Sequence, residues 1–374
     1  HFNLFLTKWR MFTPIESALG ALLIQAATTS YILLEGKVIG FSSVLYNSIF
    51  RPNIHSVSIL TGLLLSSQFV KHNLPVFVSS YSPAVTKTST FYGSALSYLI
   101  SGLLVGFGTS AGCGCTSGHM LAGLSRLRWR SFIATCTFFT TGVITTWITN
   151  NYKQIESYKE PNYWYDDEFV VFKENWVLLL TLVIVGQLWS YSILPRLGSL
   201  IEEERFNRLK NKNILRGVLG VSSGFLFGCG LLISGMTNPS KVTGFLSLFS
   251  PHDFDPSLAM IPLFCIIPNI IIWRKHLPNS KEENVEKVVN ESNKVETTIR
   301  KKPVFESEYD LNFSNATDLK FLIGNAIFGI GWGMSGVCPG PAILTMFGEI
   351  GSLVIGKGCV YVIGFLVGSY FQKM

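Results

Sequence analysis

The sequence predicts an all-α polytopic membrane protein, with about nine transmembrane helices and four shorter re-entrant half-helix elements in two inverted repeats. Three observations predict it: a charge-poor apolar composition, a series of apolar runs of spanning length, and a glycine pattern recurring at a fixed step. Of 374 residues, 48% are hydrophobic and 14% charged, where a soluble domain carries about 25% charge. The mean hydropathy is +0.37. A net charge of +7 would point to nucleic acid in a soluble protein. Here Lys and Arg sit in short clusters between apolar runs, as in cytoplasmic loops, and no basic face interleaved with aromatics is present. Membrane lipid is therefore the expected surrounding, and nucleic acid is not an expected partner.

A span needs about 20 largely apolar residues. The runs that qualify are 14–35, 53–71, 91–110, 129–150, 175–194, 214–235, 256–273, 318–336 and 353–371. Four apolar pieces too short to span, 36–50, 111–125, 236–250 and 337–350, follow the first, third, sixth and eighth runs. Irregular backbone is tolerated at membrane depth only where protein or a wet cavity surrounds it. Each short piece, with its Gly, Ser or Pro, is therefore expected to be a loop plus a half-helix. Residues 195–213 read as a soluble link, and residues 274–317, rich in Lys, Glu, Asn and Ser, as a disordered loop. This divides the chain into a first membrane repeat over 12–150, a connecting span with charged linker over 151–213, and a second repeat over 214–371. No cleavable signal peptide of the usual kind opens the chain, and Met11 is a candidate natural start.

The charges predict an orientation. Residues 151–174 hold three Lys against six Asp/Glu, whereas Arg126, Arg128 and Arg130 precede the fourth span and Arg205, Arg208, Lys210, Lys212 and Arg216 the sixth. Placing the basic clusters in the cytoplasm puts the N-terminus outside and the C-terminus inside, in a plasma or inner membrane. The sequons at Asn290, Asn312 and Asn315 then lie on the cytoplasmic side, as chance triplets of an Asn/Ser-rich linker.

The repeat emerges on aligning "GxG". Gly106 and Gly108 precede Cys115, Gly228 and Gly230 precede Thr237, and Gly329 and Gly331 precede Cys338; the aligned residue follows the second glycine by seven each time. A weaker fourth copy aligns Gly40 and Ser42 with Gly235 and Thr237. Each half then carries one Ser/Thr-bearing and one Cys-bearing element. Four spans, a connecting span and four more place the halves in opposite orientations, the arrangement of transporters with a midplane site at the repeat interface. The Ser42 and Cys115 elements would enter from the cytoplasm, and the Thr237 and Cys338 elements from outside. Taken alone, the GxG pairs are better read as helix-packing positions.

The chemistry of "GCGCTSGH" leaves alternatives open. Cys113, Cys115 and His119 offer three ligands to zinc or copper, but "GWGMSGVCPGP" keeps one cysteine, with Gly336 where Cys113 stands, and no histidine. A redox or sulfur-transfer reading pairs Cys115 with Cys338, or Cys113 with Cys115 in a strained disulfide. An anion path uses the half-helix N–H groups and dipoles. Asn238, Gly114 and Gly336 adjoin it, and Lys241 and His119 would lend positive potential, although each is more simply a loop residue facing water. A neutral thiol is a soft, weak donor, better suited to a sulfur-terminated anion than to sulfate. Cys136, Cys229, Cys265 and Cys359 read as packing residues, and Trp129, Trp176, Trp273 and Tyr361 as interfacial or lipid-facing. Few carboxylates fall in the spans (Glu35 and Glu349 lie near ends), so no proton relay is evident.

At "GFGTSAGCGCTSGHMLAGLSRL" the sequence resembles the YeeE/YedE family of sulfur transporters, and "GFLFGCGLLISGMTNPSKVTGFLSL" with "FGIGWGMSGVCPGPAIL" resembles its partner half. The resemblance covers residues 12–273 and 318–371, with both halves fused in one chain. It implies an hourglass-shaped protein that takes up thiosulfate or a related sulfur anion without a cofactor, passing it between cysteine thiols at a constriction. The positions carried over are Cys115 and Cys338; on the reading of the residues themselves, Thr237, Ser42 and the half-helix N–H groups are expected to hold the anion's oxygens. Two features depart from the family: Cys113 is an extra cysteine, and "GFSSVLYNS" offers Ser42 and Ser43 where a third family cysteine stands. The reading is of a transporter or channel rather than an enzyme; the alternative is a membrane thiol protein that accepts sulfane sulfur as a persulfide.

Overall fold

The structure is a computed structural model that describes residues 12–78, 94–149, 170–202, 208–250, 254–278, 302–306, 308–348 and 356–374. Glu349, Asn290, Arg205 and the acidic stretch 151–169 lie outside the described residues. Every described regular element is helical: α1 (Pro14–Glu35), α2 (Phe41–Phe50), α3 (Ile54–Asn73), α4 (Ala95–Ala111), α5 (Trp129–Thr149), α6 (Val170–Leu188), α7 (Leu194–Glu202), α8 (Arg208–Ile233), α9 (Pro239–Leu246), α10 (Ile267–His276), α11 (Leu319–Ser335), α12 (Pro339–Gly348) and α13 (Lys357–Lys373). A π-helical turn joins α6 to α7, and a 3-10 turn and a π turn lead into α10. A helix or helical tract occupies each of the nine runs, and α2, the π-helical turn Ser117–Gly123, α9 and α12 fall in the four short pieces. Among the described residues, six tracts are both long and apolar enough to cross a membrane. The polar residues of α3 explain its lower hydropathy, since Ser58, Ser66 and Ser67 are buried against neighbouring helices.

Glycines draw these helices together. A Cβ on Gly230 would lie 2.7 Å from the Gly20 carbonyl, one on Gly324 2.5 Å from the Gly112 nitrogen, and one on Gly331 2.9 Å from the Ser101 carbonyl. Gly106 and Gly108 meet the backbones of Phe365 and Phe328 in the same way, Gly228 meets Ser66, and Gly329 meets Phe138. All six glycines of the GxG pairs are thus packing positions, as small residues are wherever membrane helices approach closely. The pairs also fix directions. α4 runs antiparallel to α11, with 112 beside 324 and 108 beside 328, but parallel to α13, with 102 beside 361 and 106 beside 365. α11 is in turn parallel to α5, and α8 is parallel to α3 and antiparallel to α1.

Three expectations are corrected. Part of the polar loop 274–317 is ordered: Phe305, Tyr309 and Leu311 are buried, the Phe305 amide donates to the Leu34 carbonyl at 2.8 Å, and that of Asp310 to Gly36 at 2.9 Å. The polar composition of the loop masked these spaced apolar anchors. The link 195–213 is largely helical, since α7 runs to Glu202 and α8 starts at Arg208. Trp273 and Tyr361 are buried at 2% and 0% exposure, unlike the exposed Trp129 and Trp176. Trp273 Nε1 donates to Thr29 Oγ1 at 2.9 Å within a polar network joining α1 and α10, and a buried Trp seeks such a partner. Cys136 is exposed on α5, whereas Cys229 and Cys265 are buried.

Candidate functional site

Each short element follows a break in a long helix, and the break has a common backbone signature. Gly36, Cys113, Gly235 and Gly336 all have left-handed φ, of 75°, 57°, 77° and 67°. That region is open to glycine and costs other residues energy. Two residues beyond each stand Val38, Cys115, Thr237 and Cys338. This corrects the register of the weakest copy. The first break is at Gly36, whose amide closes α1 on the Ile32 carbonyl, while Gly40 has φ −108°. Val38, not Ser42, is the counterpart of Thr237. Cys113 is the exception in kind, a side chain where the other three copies have glycine.

The four elements converge. Thr116 Oγ1 donates to Cys338 Sγ at 3.7 Å, joining the two cysteine breaks. Cys115 Sγ lies 3.2 Å from Ser117 Oγ, and Ser117 Oγ accepts the Phe41 amide at the start of α2, at 3.2 Å. A Cβ on Gly340 would lie 3.1 Å from the Phe41 ring, and one on Gly336 2.5 Å from the Pro239 carbonyl at the start of α9. Cys115 and Cys338 are both buried, at 1% and 7% exposure, as are Thr116, Ser117 and Thr237. Phe41 stacks edge-on against Phe227 at 4.6 Å, and Phe41, Leu231 and Val337 belong to the same buried apolar cluster as the two thiols. Tyr361, in α13, donates its hydroxyl to the Val337 carbonyl at 2.8 Å, fixing the peptide before Cys338. Thr116, Ser117 and Phe41 were not singled out in the sequence, where Tyr361 reads as an interfacial or lipid-facing residue; only the adjacency of Thr116 and Ser117 to Cys115 pointed to them.

The other predicted residues take different places. His119 is buried rather than facing water, with Nε2 2.9 Å from the Gly112 carbonyl and Nδ1 3.3 Å from Ser131 Oγ. It thereby staples the turn carrying Cys115, and Gly114 leaves room for its ring, which a Cβ would approach to 2.9 Å. With both ring nitrogens engaged, His119 is not disposed to join Cys113 and Cys115 around a metal. Among the described residues the cluster able to share an ion is a different one, Glu35, His55 and Glu306. Lys37 Nζ lies within 4.0 Å of both carboxylates and Arg216 pairs with both, so cationic side chains already neutralise it. Lys241 is also buried: its Nζ donates to Thr13 Oγ1 near Asp255, whose carboxyl burial raises above its usual range against the pull of Lys241. Asn238 caps α9, its Oδ1 accepting the Ser240 amide at 2.9 Å. Ser42 lies with Cys113 and Gly114 on the wall of a cavity of about 200 Å³.

Interrupted helices converging on buried thiols within a bundle of long apolar helices define a polytopic membrane protein. A family described as "Sulphur transport" matches residues 10–145, and a family of unknown function, DUF6691, matches residues 215–283 and 297–373. A probable transporter of Xylella fastidiosa strain Temecula1 is 31% identical over 144 residues, 38% of this chain and 80% of the relative. A second probable transporter of that strain is 32% identical over 128 residues, 34% of this chain and 88% of the relative. The chain belongs to the YeeE/YedE sulfur transport family and is a multi-pass membrane transporter.

Proposed function

We propose that the protein carries thiosulfate, or a related anion with a soft terminal sulfur, into the cell through the constriction between Cys338 and Cys115. The observation that carries this reading is the contact of Thr116 with Cys338, which sets two thiol-bearing helix breaks side by side in the buried core. A terminal sulfur meets a weak S–H donor with little penalty. Sulfate would leave four strongly solvated oxygens short of donors in the same place, and unmet hydrogen bonds are what such a site rejects. Thr237 and the helix N-termini that begin at Pro239 and Pro339 are suited to the anion's oxygens.

We read the chain as two inverted repeats on either side of the α6 span. Supporting this, α4 lies parallel to α13 as α11 lies parallel to α5, while α4 with α11 and α1 with α8 are antiparallel self-pairs. Two distinct families match on either side of residues 146–214. The basic residues Arg126, Arg128 and Arg216 and the strap 302–318 share one end, which we assign to the cytoplasm with the C-terminus. The anion then meets Cys338 first and Cys115 second.

Growth of a host lacking other sulfur uptake, on thiosulfate as sole sulfur source, tests this. The wild-type chain supports growth on thiosulfate, and the Cys115→Ala and Cys338→Ala variants do not while accumulating normally. Growth of both variants at the wild-type rate would refute the thiol relay.

A further inference from the structure

The cavity beside the Cys115 turn is unusual in its charge. Its walls include Arg126, Arg128 and Arg130 against a single carboxylate, that of Asp310. Basic residues at a cytoplasmic helix end ordinarily face water or lipid phosphates, but two of these, each partly exposed, turn some of their nitrogens inward. Nε and Nη1 of Arg126 and Nε of Arg130 are buried without a hydrogen-bond partner. Arg128 is held by the strap, donating to the Phe313 carbonyl and to Asn315 Oδ1 at 3.0 Å, and Arg130 lies over the Phe321 ring at 4.3 Å. Burial, with the neighbouring Arg128 guanidinium, holds Arg126 below its ordinary value, at about 10, so it stays charged at neutral pH.

A guanidinium with buried nitrogens left without an acceptor is costly, because an uncompensated buried charge destabilises the fold around it. The lining also includes hydroxyls suited to oxyanion oxygens, those of Ser42 and Ser43 on α2 and that of Ser131 on α5, the last also meeting His119 Nδ1. Cys113 and Gly114, on the turn leading into Cys115, close the side nearest the thiols.

We propose that this cavity is a binding station for a small divalent oxyanion, with the Arg126 guanidinium as its principal ligand and Arg128 and Arg130 supplying the surrounding positive field. The chemistry accepts sulfate as well as thiosulfate, because guanidinium forks and hydroxyls recognise oxygens. The station is thus less selective than the thiol constriction, and it stands whether or not thiosulfate is the permeant species. Lying on the Cys115 side, it would receive an anion leaving the constriction, and a high internal sulfate concentration would occupy it and slow further exit.

Cys113 gives a local readout, since it is exposed and lines the cavity. The purified full-length chain in detergent is alkylated with a maleimide, and the modification rate at Cys113 is followed by peptide mass spectrometry against increasing sulfate at constant ionic strength, with chloride as balance. Sulfate slows alkylation of Cys113 saturably in the wild-type chain while leaving that of Cys136, exposed on α5, unchanged. In Arg126→Gln the half-saturating concentration rises about tenfold or more, the loss of one charge-assisted partner, and Arg126→Lys recovers part of it. Absence of any saturable effect in the wild-type chain overturns the proposal without recourse to a variant, as does equal protection in a folded Arg126→Gln. If sulfate protects Cys113 but reconstituted protein takes up no thiosulfate, the permeation reading fails and the station remains.

Discussion

The Tyr361 hydroxyl donates to the Val337 carbonyl at 2.8 Å, and so a residue of α13 sets the peptide that presents the Cys338 thiol. Tyr361 is fully buried, so the phenol has no access to water if this bond is lost. Tyr361→Phe keeps the ring packing and leaves the carbonyl short of a donor, at a cost of about 1 kcal/mol. The expected outcome is a small fall in thermal midpoint in detergent, with a larger proportional fall in thiosulfate uptake. Unchanged uptake with a lowered midpoint would make Tyr361 a stability residue alone.

Thr116 contributes through its hydroxyl on Cys338 Sγ. Thr116→Val preserves shape and removes the donor, so uptake drops while protein abundance does not. Thr116→Ser keeps the hydroxyl and stays near wild type. Equal behaviour of the two variants in an uptake assay would show that the contact is packing only.

Cys113 is a side chain in a left-handed conformation, φ 57°, where the three equivalent breaks have glycine. Strain of this kind costs about 1–3 kcal/mol. Cys113→Gly therefore raises the thermal midpoint and leaves thiosulfate uptake intact, separating Cys113 from Cys115 in function. A loss of uptake in Cys113→Gly, measured at equal protein level, would give Cys113 a place in the path.

The strap is anchored by Phe305, 2% exposed, and by Arg216, which donates to the Phe305 carbonyl at 2.8 Å. Phe305→Ala removes a buried aromatic worth about 3–5 kcal/mol in a packed core, part of which is recovered if the strap detaches. Limited proteolysis is expected to cut this variant between residues 302 and 318 faster than the wild-type chain, with the helices intact. Equal cleavage rates would show that the strap is held elsewhere.

The architecture was legible in the sequence because run length and glycine recurrence report directly on spans and breaks. Each of the nine runs holds a helix or helical tract among the described residues, and the four short pieces hold the short elements. Facing was not legible. Trp273 and Tyr361 sit near span ends, where aromatics often meet headgroups, but a ring's direction depends on neighbours such as Thr29 and Val337 that lie far away in sequence. Lys241 and His119 resembled loop residues because their partners, Thr13, Gly112 and Ser131, are supplied by tertiary contact. The fourth repeat was mis-registered because "GFSS" imitates the pattern, while the residue that turns the chain, Gly36, lies outside it. For the central site, sequence indicated which cysteines recur; the hydroxyls that join them emerge only when the breaks meet.

The central claim is that the paired thiols of Cys115 and Cys338 are the selective passage. Its most direct test is initial-rate uptake of radiolabelled thiosulfate into proteoliposomes, comparing wild type, Cys115→Ala, Cys338→Ala and Cys136→Ala, with sulfate as a second labelled substrate. The account predicts thiosulfate uptake by wild type and Cys136→Ala, none above empty liposomes for the two central variants, and little sulfate uptake by any. Thiosulfate uptake at the wild-type rate in Cys115→Ala and Cys338→Ala would contradict it.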